Sequence, residues 1–203
     1  MQLKIESRKM EDFLKEISPI IQFNTPLIQA KIQAIQAKEN TKFGQAKMAF
    51  EIARDEIHHS FDTKFQPVTI NAEDVLQKHE GICFAKAHLF ATLCRGLGIP
   101  CGFCYQRVLR DGKTVESGYA LHGLNAVYLE EFGWFRVDPR GNKPGVDSQF
   151  IAEHEKLAYP IRPELGEFDY PNVFSEPLEE VITAMKNSTT TKELFLNRPE
   201  KIA

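Results

Sequence analysis

The stretch that most constrains this chain is Phe84 to Arg95, where Ala, Leu and Phe recur on nearly every side of a helical wheel. The run halts at Gly96, Gly98 and Pro100. A helix that is apolar all round belongs in a core, so the other elements have to wrap it. It opens at Gly81-Ile82-Cys83, which predicts Cys83 at the helix N-terminus. There the first-turn N–H groups have no acceptor within the helix, and the macrodipole places roughly half a positive charge. Both favour thiolate over thiol. With a cationic partner, a cysteine so placed titrates at roughly 3.5 to 7.5 instead of about 8.5. The alternative use of such a residue is as a small buried hydrophobe, and residues further along the chain decide between the two.

With 203 residues, of which 42% are hydrophobic and 26% charged, the chain can bury one sizeable core, so a single domain over 1–203 is expected. Within it we read an N-terminal helical segment over 1–43, a core over 44–142 and a C-terminal loop and helix over 143–203. A net charge of −3 with no Lys/Arg tract argues against a nucleic-acid partner. No apolar run reaches the roughly 18 to 20 residues a membrane span needs, and Met1 to Glu6 has no signal-peptide pattern, so a cytoplasmic location is expected. Four cysteines crowd between Cys83 and Cys104, a poor layout for stapling a fold, and are read as reduced thiols.

The order of elements points to an α+β layout with segregated helices and strands. An extended start (Leu3, Ile5) precedes a short helix bearing Met10, Phe13, Leu14 and Ile17, which Pro19 ends. Thr25-Pro26 opens a helix with Ile28, Ile32 and Ile35 on one face. A second helix is expected over 44–60, ending in His58 and His59, which point about 100° apart and suit a helix C-terminus better than a shared metal. A short helix from Ala72 to Lys78 leads into the central one. Residues 101–109, 119–129 and 133–138 are strand-like, Asp111-Gly112 between the first two marks a hairpin, and an antiparallel sheet is expected. A short helix is expected near 147–157 and another over 177–187, and the last dozen residues carry weak local signals.

If 122–129 and 134–138 are neighbouring antiparallel strands, His122 at the start of one faces Asp138 at the end of the other. A thiol nucleophile needs such a pair: an imidazole to carry its proton and a carboxylate to fix the tautomer and steady the imidazolium. Other candidates are weaker. Cys101 and Cys104 would point to opposite faces of a strand. His88 suits a packed core, and His154 sits in the charged run Glu153-His154-Glu155-Lys156.

Gly81-Ile82-Cys83-Phe84-Ala85-Lys86-Ala87 with Leu97-Gly98-Ile99-Pro100, then His122 through Leu129, then Trp134 through Pro139, resemble the three blocks of the transglutaminase-like cysteine enzyme superfamily. The resemblance spans roughly residues 45 to 142. It implies a papain-like α+β fold, with N-terminal helices and the nucleophile helix packed on an antiparallel barrel-like sheet. Carried over, Cys83 is nucleophile, His122 general base and then acid, and Asp138 its orienting group. Many members have Ala-Trp after the histidine, whereas this chain has Gly123-Leu124, which alters the lining of an acyl pocket. Gln77 lies six residues before Cys83, the offset at which papain-like enzymes place an oxyanion-hole glutamine; the alternative is a solvated helix glutamine. Trp134, Arg140 and Asn142 are candidate substrate contacts, with loop structure the other use of the latter two.

The expectation is a thiol-dependent acyl-transfer enzyme acting on peptide or protein amides through a thioester, most simply a peptidase or amidase, since water at about 55 M needs no dedicated acceptor site. Transamidation onto a primary amine, and a non-catalytic peptide-binding module using the same cleft, are the alternatives. The mechanism calls for no metal or cofactor, and no Asp-x-Asp-x-Asp-Gly calcium loop is present. Neither a nucleic acid nor a membrane is expected as a partner, and the oligomeric state is left open.

Overall fold

A computed structural model describes residues 1–203. Its order is β1 (Lys4–Ile5), a 3-10 turn at Met10–Phe13, α1 (Pro26–Lys38), α2 (Lys42–Glu51), β2 (His58–His59), α3 (Ser60–Thr63), α4 (Ala72–Lys78), β3 (Glu80–Gly81) and α5 (Cys83–Gly96). The sheet region and C-terminal part follow as β4 (Cys101–Leu109), β5 (Tyr119–Leu129), β6 (Gly133–Val137), β7 (Phe168–Asp169), β8 (Asn172–Val173), α6 (Glu179–Lys186) and α7 (Thr191–Asn197). This is the expected α+β architecture, with helices grouped around one antiparallel sheet of order β6-β5-β4-β7.

The central helix is as its composition requires. Every residue of α5 from Cys83 to Arg95 is buried, polar ones included. Lys86, His88 and Thr92 all point into protein, so each has to find a partner there. Thr92 donates to the His88 carbonyl (2.8 Å) and His88 Nδ1 lies 2.7 Å from the Ile70 carbonyl. Two polar side chains fasten α5 to its surroundings. Asn125 Nδ2 on β5 donates to the carbonyls of Ala87 (3.2 Å) and Gly102 (3.1 Å), bridging helix and sheet. The buried Arg95 donates to Cys101 O (2.8 and 3.1 Å), Lys15 O (2.8 Å) and Ser175 O (2.6 Å). One guanidinium thus satisfies carbonyls from three segments that would otherwise be buried without donors.

Around α5 the apolar faces of α1 (Ile28, Ile32, Ile35), α2 (Ala46, Ala49, Phe50) and α4 (Val75, Leu76) close a cluster of 38 buried hydrophobic residues. The strand β4 divides its thiols as period-two alternation demands: Cys101 faces this main cluster and Cys104 a smaller one with Phe13, Leu124 and Val173. All four cysteines are buried free thiols. No helix is long and apolar enough to cross a membrane.

Two local expectations are overturned, and the structure adds order where local signals are weak. The helix expected over 44–60 stops at Glu51, passes through a π-helical turn at Ile52–Glu56 and becomes strand β2, which pairs in parallel with β3. Lys86 makes this ending possible, because its buried ammonium donates to the carbonyls of Arg54 (3.2 Å) and Ile57. No helix forms over 147–157, because its groups are engaged elsewhere. Ser148 N–H goes to Asn142 Oδ1 (2.7 Å), Ser148 Oγ–H to Asp138 O (2.5 Å), and Phe150 packs against Phe43, Phe50 and Phe135. The last dozen residues are ordered by α7, which begins with a reciprocal capping box between Thr190 and Glu193. The tail beyond it runs along β5, where Leu121 N–H donates to Pro199 O (2.7 Å).

Candidate active site

The site forms where the start of α5 meets β5. Ile82 is the N-cap of α5 and makes no side-chain cap, so the first-turn N–H groups beside Cys83 are not taken up by a local side chain. Strand β3 ends two residues earlier, and its pairing His59↔Gly81 brings His59 alongside. On β5, His122 lies within the sheet, and β6 returns antiparallel with Asn125↔Val137, so that Asp138 emerges beside His122. His122 Nε2 is 2.7 Å from Asp138 Oδ2. The same carboxylate accepts the backbone N–H of Ala158 on Oδ2 and of Arg140 on Oδ1 (3.1 Å each). Cys83 shares a cleft with His122, and the His122 ring and the Gly123 N–H both favour its thiolate. With Nε2 given to Asp138, Nδ1 is the ring nitrogen left for the thiol.

The electrostatics follow from this placement. Burial opposes thiolate at Cys83, but the charge of His122, its hydrogen bond, the Gly123 N–H and the Arg198 cation together pull the thiol below its ordinary value. Burial likewise opposes imidazolium at His122; the charges of Asp138 and Cys83 and the hydrogen bonds to both outweigh it and raise the ring's pKa. Both shifts act in the same direction, favouring a thiolate–imidazolium pair over a neutral thiol and imidazole. His59 is held the other way. Burial first, then the surrounding cations Arg140, Lys86 and His122, push it well below the ordinary histidine range. Its Nδ1 accepts the Phe61 N–H (3.4 Å), so the neutral ring carries its proton on Nε2. Lys86, one turn after Cys83, is lowered to about 7 by burial and by Arg140.

Cys83 and His122 open into a cleft of about 620 Å³ whose walls include His59, Phe61, Arg140, Tyr159 and Arg198. Tyr159 packs edge-on against the His122 ring, with centroids 4.8 Å apart, and its hydroxyl accepts from Arg140 Nε (2.8 Å). A larger hollow of about 800 Å³, bordered by Met10, Phe43, Leu129 and Phe132, contains no cysteine or histidine. Nowhere do three His, Cys, Asp or Glu side chains converge as metal ligands.

Of the residues singled out from the sequence, Cys83, His122 and Asp138 come together and Arg140 lines their cleft. The other three do not. Gln77 is exposed on α4 and lies outside the cleft, because the left-handed turn at His79 and strand β3 intervene before Cys83. Trp134 packs on Phe13 (centroids 4.8 Å) and Tyr128 (5.7 Å) in the smaller core cluster. Asn142 closes its own loop through Ser148 N–H and O. His88 and His154 are a core and a surface histidine, respectively. His59, Tyr159 and Arg198 are the cleft residues that sequence reading missed. The adjacent histidines His58 and His59 are a visible signal, although their local pattern suits a helix end; Tyr159 and Arg198 reach the site from distant segments and leave no local mark.

A cysteine at the head of a buried helix, facing histidine and aspartate on an antiparallel sheet, defines the papain-like class of α+β proteins. The chain belongs to the transglutaminase-like superfamily, whose family model matches residues 29–139. Among solved structures, it is similar to a candidate cysteine protease from Cytophaga hutchinsonii at 18% identity and TM-score 0.48, over 64% of this chain and 42% of that one. It is also similar to the periplasmic domain of TgpA from Pseudomonas aeruginosa at 19% identity and TM-score 0.47, over 64% of this chain and 46% of that one. The chain thus spans less than half the length of either structure. No curated protein matches it.

Proposed function

We propose that the protein is a cysteine-dependent acyl-transfer enzyme that hydrolyses amide bonds through Cys83, His122 and Asp138. The observation that carries this reading is the 2.7 Å contact from His122 Nε2 to Asp138 beside a buried Cys83 whose thiol is held low. The Cys83 thiolate attacks the amide carbonyl, and the carbonyl electron pair moves to oxygen. The first-turn N–H groups of α5 and the Nε2–H of the neutral His59 are the donors for that oxyanion, the part first expected of Gln77. The oxyanion collapses, the C–N bond breaks, and the His122 imidazolium gives its proton to the departing amine, leaving a thioester. Neutral His122 then takes a proton from water, whose oxygen attacks the thioester; the acid departs and the thiolate–imidazolium pair returns.

The test is alkylation of Cys83 by iodoacetamide across pH 5 to 9. Cys83 is expected to react well below pH 8 and to lose that reactivity in His122→Ala, whereas Cys94, Cys101 and Cys104 stay slow in both. Uniform labelling of all four, rising only near the pKa of an ordinary thiol, overturns the reading. Incubation with casein and a fluorescent primary amine then reads the acceptor: new N-termini mean hydrolysis, and incorporated label means transamidation.

A further inference from the structure

The cleft beside Cys83 is richer in cations than its own acids can match. Arg110, Lys113, Arg140, Lys143, Arg162 and Arg198 line it against three carboxylates, Asp62, Asp111 and Glu167. Those three are committed. Asp62 is taken by Arg140 (2.6 Å) and Lys143 (2.6 Å), Glu167 by Arg162 (2.5 Å), and Asp111 by the backbone N–H groups of Lys113 and Thr114.

Arg198 is left over. It is only 8% exposed and has no carboxylate partner, although a buried guanidinium ordinarily has one. It lies over the rings of Phe195 (4.8 Å) and Phe61 (5.2 Å), which fix its plane. Its Nη2 donates to Arg110 O (3.0 Å) and its Nε, at 3.5 Å, weakly to Phe195 O; Nη1 donates to no protein acceptor. The segment that carries it is clamped to the site. Arg110 Nη1 holds Phe195 O (2.8 Å) and Leu196 O (2.9 Å), and Pro199 O accepts from Leu121, the residue before His122. Arg110 Nη2 also donates to Tyr119 O (2.7 Å), and its only carboxylate neighbour is the exposed Glu200, 3.7 Å away.

We infer that Arg198, with Arg110 and Lys113 toward the rim, forms a carboxylate-binding subsite beside Cys83, so that the substrate carries an anionic group next to the amide that is attacked. This rests on the acyl-transfer reading of the cleft and names the substrate class for it. A guanidinium with open donors in a walled cleft binds a carboxylate through charge-assisted hydrogen bonds, and its stacked setting spares the ordering cost of a mobile arginine. The same charge draws Cys83 toward thiolate, so a merely activating role has to be separated from a binding one.

Two alkylating agents of nearly the same size make that separation. Iodoacetamide and iodoacetate both react as the thiolate sulfur displaces iodide to form a thioether, and they differ in a neutral amide against a carboxylate. The rate of iodoacetate relative to iodoacetamide at Cys83 is expected to fall roughly tenfold in Arg198→Gln and to be largely retained in Arg198→Lys. If Arg198 only lowers the thiol, both rates fall together, the ratio is unchanged, and the inference is overturned. Wild-type protein gives a second measurement that needs no folded variant. N-acetylglycine, with a free terminal carboxylate, or N-acetylglutamyl amide, with a side-chain one, should slow iodoacetamide labelling, while N-acetylglycinamide should not. Protection by the first names a chain terminus as the anion, and protection by the second an acidic side chain; protection by neither at millimolar concentrations overturns the subsite. Absence of low-pH reactivity toward iodoacetamide in the wild-type protein would instead count against the catalytic reading, which keeps the two failures apart.

Discussion

Asp138→Asn tests the arrangement most directly, since the carboxylate is fully buried and all its partners are known. Oδ2 accepts from His122 Nε2 and the Ala158 N–H, and Oδ1 from the Arg140 N–H. An asparagine has one acceptor where three donors converge. With its oxygen in the Oδ2 position it keeps two of them, now without the charge, and turns its NH2 onto the Arg140 N–H; the reverse orientation orphans two. Losing charge assistance on two bonds costs about 1 kcal/mol each, and one buried donor left unmet about 1–3 kcal/mol, so about 3–5 kcal/mol of stability should go. The variant should still fold if the parent has the usual margin of about 5–15 kcal/mol. Urea unfolding reads that loss, and iodoacetamide labelling reads its chemical consequence. Without an anion at Nε2 the imidazolium loses its main charge partner, the thiolate loses the imidazolium, and the labelling profile shifts toward that of an ordinary thiol. Amide hydrolysis should drop by about a hundredfold or more. A variant within about 1 kcal/mol of wild type, with an unmoved labelling profile, would refute the coupling of these three side chains.

Two further outcomes follow from packing and linkage. Gly123→Ala places a Cβ 2.5 Å from Cδ1 of the buried Phe84, the residue after Cys83, so it should cost about 1–3 kcal/mol in urea unfolding and slow Cys83 labelling; a neutral result would mean that the start of α5 yields easily. Burial pulls His88 down to about 4 from an ordinary 6.5, so the unfolded chain binds a proton that the folded one refuses across that window. Stability should therefore fall with acidification from pH 6.5 to 4, by about 3 kcal/mol from this residue. His88→Asn, which can keep a donor toward Ile70 O but cannot titrate, should lose correspondingly less over the same window, and parallel pH curves for the two proteins would contradict the assignment.

Periodicity and punctuation were enough to delimit what local chemistry controls. The run from Cys83 to Gly96 is a buried helix because no face of it suits water. The strands fall at 101–109, 119–129 and 133–137 because strand-forming stretches run there between turn residues. From those bounds, the antiparallel return that sets Asp138 beside His122 follows by geometry. Local pattern failed where a distant group competed for the backbone. The ammonium of Lys86 ends the helix after Glu51 and frees His59 to become a cleft residue. Hydrogen bonds to Asn142 and Asp138 keep 147–157 from coiling. The Asp62 that pairs with Arg140 lies 78 residues before it, and Arg198 reaches the site only because α7 docks on α3 through Phe195 and Phe61. A sequence specifies which residues can carry such charges, but it is the closure of the chain that decides which of them are left without a partner. The charge around the sulfur is therefore a property of the tertiary structure.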